Sequence, residues 1–167
     1  MIIREAVPDD AEQIIKHIQR LTDEPDVPIP LAPDEFQITV EQERQFLSDY
    51  READNSIFLV AEVEGQIIGI LNCEGGKRQA TRHTASSGMS VAKEWRNKGV
   101  GTALKSHLIE WATGTNIIKR LEMEVYAHNT PNIHLNRKLG FVEEGRRQKA
   151  YFQHGQFIDS IIMARLL

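Results

Sequence analysis

The 167 residues, 41% hydrophobic and 26% charged, with a mean hydropathy of −0.38, supply one buried core and no apolar run near the roughly 18–20 residues of a membrane span. The single cysteine, Cys73, excludes an intrachain disulfide and points to a reducing compartment, the cytoplasm. The net charge of −4 argues against general nucleic-acid binding, but it is unevenly spread. Ten acidic residues face only Arg44 and Arg51 between Leu21 and Asp54, whereas seven basic residues face only Glu94 between Lys77 and Lys105. The first stretch should attract cations and the second anions.

The opening "MIIREAVPDD" is charged by its fourth residue, which predicts no signal peptide. "IIREAV" reads as a first strand. Ala11, Ile14, Ile15, Ile18 and Leu21 then recur at helical spacing, with Asp10 and Gln13 patterned as a capping box. "DEPDVPIPLAP" holds four of the six prolines and predicts an irregular loop. Thr39 and Gln42 are patterned to cap a second helix through "VEQERQFLSDYREA". "SIFLVAEV" and "QIIGILN", joined at Glu64-Gly65, read as a hairpin, and "HTASSGMSV" as a further strand.

Val100, Leu104, Leu108, Trp111 and Ala112 form one apolar stripe of a third helix. "KRLEMEVYAHN" alternates as a strand does. "TPNIHLNRKLG" predicts a short helix, with Pro131 in its first turn and Gly140 at its end. "QKAYFQHGQFIDSIIMARLL" reads as a hairpin turning at His154-Gly155. The pattern is α+β, helices over a mostly antiparallel sheet, in one domain spanning residues 1–167.

The stretch "RNKGVGTALK", Arg96 to Lys105, carries the strongest chemical signal. A helix N-terminus presents unpaired N–H groups and a partial positive charge, and glycine lets a bulky anion approach the backbone. With Arg96 and Lys98 adding charge, the natural ligand is a phosphate or pyrophosphate. Neither of two better-known phosphate motifs fits. The Walker loop and the dinucleotide fingerprint each require a small residue where Leu104 stands.

"VAKEWRNKGVGTALKSHLIEWA" resembles the acyl-CoA motif of the GCN5-related N-acetyltransferases, and "EVYAHNTPNIHLNRKLGF" resembles that family's following strand, Asn and short helix. Together the two segments span Val91 to Phe141. The resemblance implies a single acetyltransferase domain, with a central, mostly antiparallel mixed sheet of about six to seven strands flanked by about four helices. It implies acetyl-CoA as co-substrate, with the backbone of Met89, Ser90 and Val91 pairing to the pantetheine arm. Arg96, Asn97, Lys98, Gly99, Val100, Gly101 and Thr102 would cradle the pyrophosphate. Asn129 would lie near the reactive end, and Lys98 or Lys138 would meet the ribose phosphate. It also implies a homodimer.

An amine attacks a thioester only when neutral, and a primary amine of pKa about 10.4 is neutral to well under 0.1% at pH 7, a deficit of about 4–5 kcal/mol. A general base offsets part of that. Glu124 is the first candidate and Glu122 the second, because alternation places both on one strand face and Leu121, Met123 and Val125 on the other. His83 and Glu74 are weaker candidates. The Val91 N–H is the expected donor to the developing oxyanion. For protonating the leaving thiolate the family commonly uses a Tyr in Leu-Tyr-x-Lys-x-Gly-Phe. Here the position is Asn136, whose amide can donate a hydrogen bond but not readily a proton. Tyr126 and Tyr151 are the available substitutes.

Metal-ligand spacing is absent from the six histidines, so no metal is expected. Cys73 reads as buried packing rather than a nucleophile. In the resembling family the first two helices and their loop wall the acceptor site. Here that wall carries Asp23, Glu24, Asp26, Asp34 and Glu35, which predicts a cationic acceptor: a polyamine, another small primary amine or a peptide N-terminus. Two rival readings remain. One is a non-catalytic acyl-CoA-binding module, suggested by Asn136. The other is a nucleic-acid binder using the basic stretches from Lys77 to Lys105 and Arg137 to Lys149.

Overall fold

The chain runs β1 (Ile2–Glu5), α1 (Ala11–Thr22), α2 (Val40–Glu52), β2 (Ile57–Val63), β3 (Gln66–Gly75), β4 (Thr84–Val91), α3 (Val100–Gly114), β5 (Arg120–Tyr126), α4 (Thr130–Lys138), β6 (Val142–Gln153) and β7 (Gln156–Leu166). These elements come from a computed structural model that describes residues 1–25, 27–32 and 34–167. The strands form one sheet in the order β1-β2-β3-β4-β5-β7-β6. Every pairing is antiparallel except β4 with β5. The expected α+β architecture is therefore the observed one.

Two cores lie on opposite faces of this sheet. On one face Val100, Leu104, Leu108 and Ala112 of α3, with Ile133 of α4, pack against Leu59, Leu71, Leu121, Met123 and Met163. On the other, Ala11 and Ile14 of α1 and Leu47 and Tyr50 of α2 pack against Phe58, Val60 and Ile70. Cys73 is fully buried in the first core, as expected of packing.

Local signals were mostly reliable. Thr39 and Gln42 form a reciprocal capping box at the start of α2. The β2–β3 hairpin turns on Glu64 (φ 51°) and Gly65 (φ 79°), the left-handed pair that a tight hairpin requires. The Asp10–Gln13 box does not form. Asp10 caps nothing in α1; its carboxylate instead accepts from Arg4 at 2.7 and 2.8 Å and from the Val7 N–H at 2.8 Å. Gln13 reaches across to Gly65 O and the Ile67 N–H. A charged partner on β1 outcompetes the local cap. The last hairpin is also longer than predicted, because β6 starts at Val142 rather than near Gln148.

The feature that positions the site is a divergence between β4 and β5. These strands pair only at Thr84–Ser86 with Arg120–Glu122. On its other side β4 pairs with β3 along its length, from Ala85 to Val91. Beyond Ser86, then, β4 keeps one neighbour and turns a free edge toward β5. The Ala92 N–H bonds back to Ile68 O. Alternation along an unbulged strand therefore directs Ser90 and Gly88 toward β3, and the N–H and C=O of Met89 and Val91 into the gap.

His17 of α1 braces the same strand. It is buried, with Nε2 3.0 Å from Ser90 Oγ. Burial, reinforced by Arg20 and Arg96 and opposed by Glu94, pushes its imidazole down to about 4. A lowered folded value means that the folded state prefers the neutral ring. The contribution to stability is complete above about pH 6.5 and is lost as pH falls toward 4. Urea unfolding of the wild type should thus lose about 2–3 kcal/mol more than that of His17→Gln between pH 7.5 and 4.5. Parallel losses would show that His17 does not carry this pH dependence.

Candidate active site

Asn97 (φ 60°) and Gly99 (φ 86°) flank Lys98 in left-handed backbone, so the chain doubles back before α3. Gly99 is the N-cap of α3, and no side chain caps it. The first amides of a 15-residue helix are left open. A Cβ on Gly101 would stand 3.0 Å from Met89 Cε and 3.3 Å from Leu135 Cδ2. A larger residue there would require Met89 and Leu135 to give way by a few tenths of an ångström, so Gly101 favours the close approach of α3, β4 and α4. These features fit a bound pyrophosphate: open amides, no side chain over them, and a helix dipole behind.

The loop forms one wall of a cleft of about 650 Å³ that fills the β4–β5 gap. Of the sequence-predicted residues, Met89, Ser90, Val91, Arg96, Asn97, Gly99, Gly101, Thr102, Asn129, Glu124, Tyr126 and Tyr151 line it. Val100 is buried in the core instead, and Lys98 lies over the Trp95 ring at 5.3 Å. Lys138 is exposed at the end of α4 and does not line the cleft. His83, Glu74 and Glu122 also lie outside it. Arg96 is committed to protein partners. Its Nε donates to Val91 O at 2.9 Å, and its guanidinium pairs with Glu24 at 2.8 Å, tying the end of β4 to the loop after α1.

Glu124 projects from β5 on the α1/α2 side of the sheet, since Leu121, Met123 and Val125 fill the α3 side. Ser160 Oγ donates to one of its oxygens, and Arg147 donates to the other at 2.7 Å. Burial would raise this carboxyl, but Ser160, Tyr151 and Arg147 more than offset it and hold it below the usual glutamate value. Glu124 is thus a fixed anion. Tyr126 is buried, with its hydroxyl donating to Gln153 at 3.0 Å, and Gln153 in turn donates to Ile29 O at 2.7 Å. Burial, then Tyr151 and Glu124, push the Tyr126 phenol up to about 12. Sequence reading missed Ser160, Arg147 and Gln153, which reach the site across strand pairings that no local pattern reveals.

Asn136 is fully buried and does not reach the cleft surface. Its Oδ1 contacts Nζ of Lys105, a residue of α3 that does line the cleft. Sequence reading counted Lys105 only as positive charge. It is 3% exposed, and burial alone pushes its amine down to about 7.

A second cleft of about 780 Å³ adjoins the first through Val27, Pro28 and Tyr126. Its polar lining includes Arg146, His128, His154 and Asp159. Arg146 Nε donates to Asp159 at 2.9 Å, which orients the guanidinium, and among the described residues its two terminal nitrogens make no hydrogen bond. The acidic wall predicted for the acceptor is not found there. The loop contributes Val27, Pro28, Ile29 and Pro30 to the clefts, while Glu24 holds Arg96 and Glu35 accepts from the Ala32 N–H. Asp23 and Asp34 line neither cleft. Asp26 lies outside the described residues. Among the described residues no cluster of His, Cys, Asp and Glu is arranged to hold a metal ion.

Comparison with known proteins agrees with this geometry. Residues 19–141 match the model of the acetyltransferase (GNAT) family. The L-amino acid N-acetyltransferase AaaT of Escherichia coli is 33% identical over 108 residues, which are 65% of this chain and 67% of that relative. The crystal structure of a GNAT-family acetyltransferase from Streptococcus pneumoniae superposes with a TM-score of 0.95 at 34% identity, covering 99% of both chains. A phosphinothricin acetyltransferase from Sinorhizobium meliloti, solved with acetyl-CoA, shares the fold with a TM-score of 0.86 at 24% identity, covering 99% of this chain and 88% of that one.

The loop's backbone is directly testable. Gly99→Ala places a Cβ in left-handed backbone and should cost about 1–2 kcal/mol in urea unfolding. Gly114, in the last turn of the same helix with open space around it, should gain about 0.4–1 kcal/mol as Gly114→Ala. Equal effects would mean that the turn at Gly99 does not have this geometry.

Proposed function

The chain belongs to the acetyltransferase (GNAT) family and is an N-acetyltransferase, and from that premise we propose that it moves the acetyl group of acetyl-CoA to the primary amine of a small acceptor bearing an anionic group, of the amino-acid class, by direct attack in a ternary complex. The observation that carries this reading is the β4–β5 gap. It joins an anion-receptive helix end to a fixed carboxylate, with a second cleft at its far mouth.

In this reading, the amides after Gly99 and the loop's glycines receive the pyrophosphate, and the free edge at Met89 and Val91 pairs with the amide-bearing arm as an added strand would. The Val91 N–H points into the gap and supports negative charge on the carbonyl oxygen. Glu124 draws the incoming ammonium group and accepts its proton, directly or through water. The α-amine of a free amino acid sits beside its own carboxylate and is almost wholly protonated at pH 7, so a fixed anion that draws the ammonium and passes its proton to water is needed. Arg146 then receives the acceptor's anionic group, as a guanidinium fork suits a carboxylate. The Escherichia coli relative named for L-amino acids supports the same class.

Thiol release from acetyl-CoA, measured with pooled amino acids, polyamines, aminoglycosides and short peptides, tests the assignment. Release with the amino acids is expected. Release with polyamines alone would contradict the anionic anchor, and binding of acetyl-CoA without release in any pool would favour a binding module. With an active acceptor, Glu124→Gln should lower kcat about 10²–10⁴-fold at pH 7, narrowing as pH rises and more amine arrives neutral. Arg146→Ala should raise the acceptor KM about tenfold or more with kcat little changed, as expected for loss of a charge-assisted contact made in both ground and transition states. A wild-type KM would remove Arg146 from the acceptor site.

A further inference from the structure

Among the described residues no carboxylate pairs with the buried Lys105. It lies on the α3 face of the sheet, 3% exposed, and is among the residues that line the β4–β5 cleft, as are Met123 and Asn132, which its ammonium nitrogen contacts. Three acceptors surround it: Met123 Sδ and Asn132 Oδ1, each at 3.2 Å, and Asn136 Oδ1. The Phe141 ring completes the enclosure at 5.9 Å. These groups come from β5, α4 and the residue before β6, and none of them is ionisable. Three acceptors match the three N–H bonds of an ammonium, so the site is built for the charged form even though burial disfavours it.

Resting on the acetyltransferase reading above, we infer that Lys105 is the general acid that protonates the departing thiolate, with Asn132 and Asn136 positioning it. Glu124 and Lys105 lie on opposite faces of the sheet, and both line the gap between them. The amine approaches from the Glu124 face, while Lys105 sits on the face carrying α3, whose N-terminus receives the pyrophosphate. The neutral amine, whose first proton has passed through Glu124 to solvent, forms the C–N bond, and the tetrahedral intermediate then loses the C–S bond. The electron pair left on sulfur takes a proton from the Lys105 ammonium as one N–H turns from Met123 Sδ to the thiolate, giving neutral Lys105 and a free thiol. The second proton of the amine nitrogen departs through Glu124. Lys105 recovers a proton from solvent once the cleft empties.

The low-lying amine suits this task. With a value of about 7 it gives up its proton more readily than an ordinary thiol of about 8.5 would, so transfer to a thiolate is downhill. Asn136 thereby gains a role that its own amide could not fill. The residue that replaces the family's tyrosine holds the proton donor rather than serving as one.

The test is the pH profile of kcat at saturating acetyl-CoA, with an acceptor active in the wild type. The wild type should show a descending limb near pH 7, as the protonated donor is lost. Lys105→Met should lower kcat about 10²–10⁴-fold, remove that limb, and leave the Kd for acetyl-CoA within about threefold, the span that separates a lost proton donor from lost binding. Asn136→Asp places a carboxylate against the same nitrogen and should move the limb upward by about one unit or more. That variant decides the matter if Lys105→Met fails to fold. Wild-type turnover with an unchanged limb in either folded variant would overturn the inference. Absence of turnover from the wild type itself would instead count against the acetyltransferase reading beneath it.

Discussion

The site depends on one act of incomplete pairing. Strands β4 and β5 share a parallel ladder for three residues and then part, while β3 holds β4 in place along its other edge. Unpaired backbone within a sheet is costly unless something completes it. The rest of the architecture either creates this edge or serves it. Gly101 lets α3 close on Met89, Arg96 anchors Val91 O, and His17 braces Ser90 from the opposite face. The open edge is of the kind that an extended ligand with amides of its own completes.

The gap also connects two electrostatically different sides. On the α1/α2 side stands an anion, Glu124, held by a hydroxyl and a guanidinium. On the α3 side stands a cation, Lys105, held among the described residues by neutral groups. In the proposed mechanism, proton acceptance and proton donation are separated by the thickness of the sheet. Four of the seven basic residues in the stretch that suggests nucleic acid are paired or buried. Lys77, Arg82 and Arg96 pair with Glu74, Asp54 and Glu24, and Lys105 is buried.

Much of this was legible in the sequence, for a definable reason. Strands, helices and the glycine turn are written in local periodicity and in residues chosen for particular backbone angles, as at Glu64-Gly65 and Gly99. The glycine turn before α3 could therefore be located, although Val100 is buried in the core, Lys98 lies over Trp95 and Arg96 pairs with Glu24. Electrostatic partners are not local. Asp10 looked like a helix cap but serves Arg4, and the acidic loop looked like an acceptor wall although Glu24 is bound to Arg96. Lys105, Ser160 and Arg147 escaped notice because their roles arise only where distant elements meet.

The most direct test of the central claim is amide hydrogen exchange with and without saturating acetyl-CoA, resolved at Met89, Val91 and Gly99 through Thr102. The account predicts that these amides exchange readily in the free protein and slow together on binding, while Gly88 and Ser90, already paired to β3, change little. Protection confined to the β6–β7 hairpin, or none at the β4 edge, would contradict it.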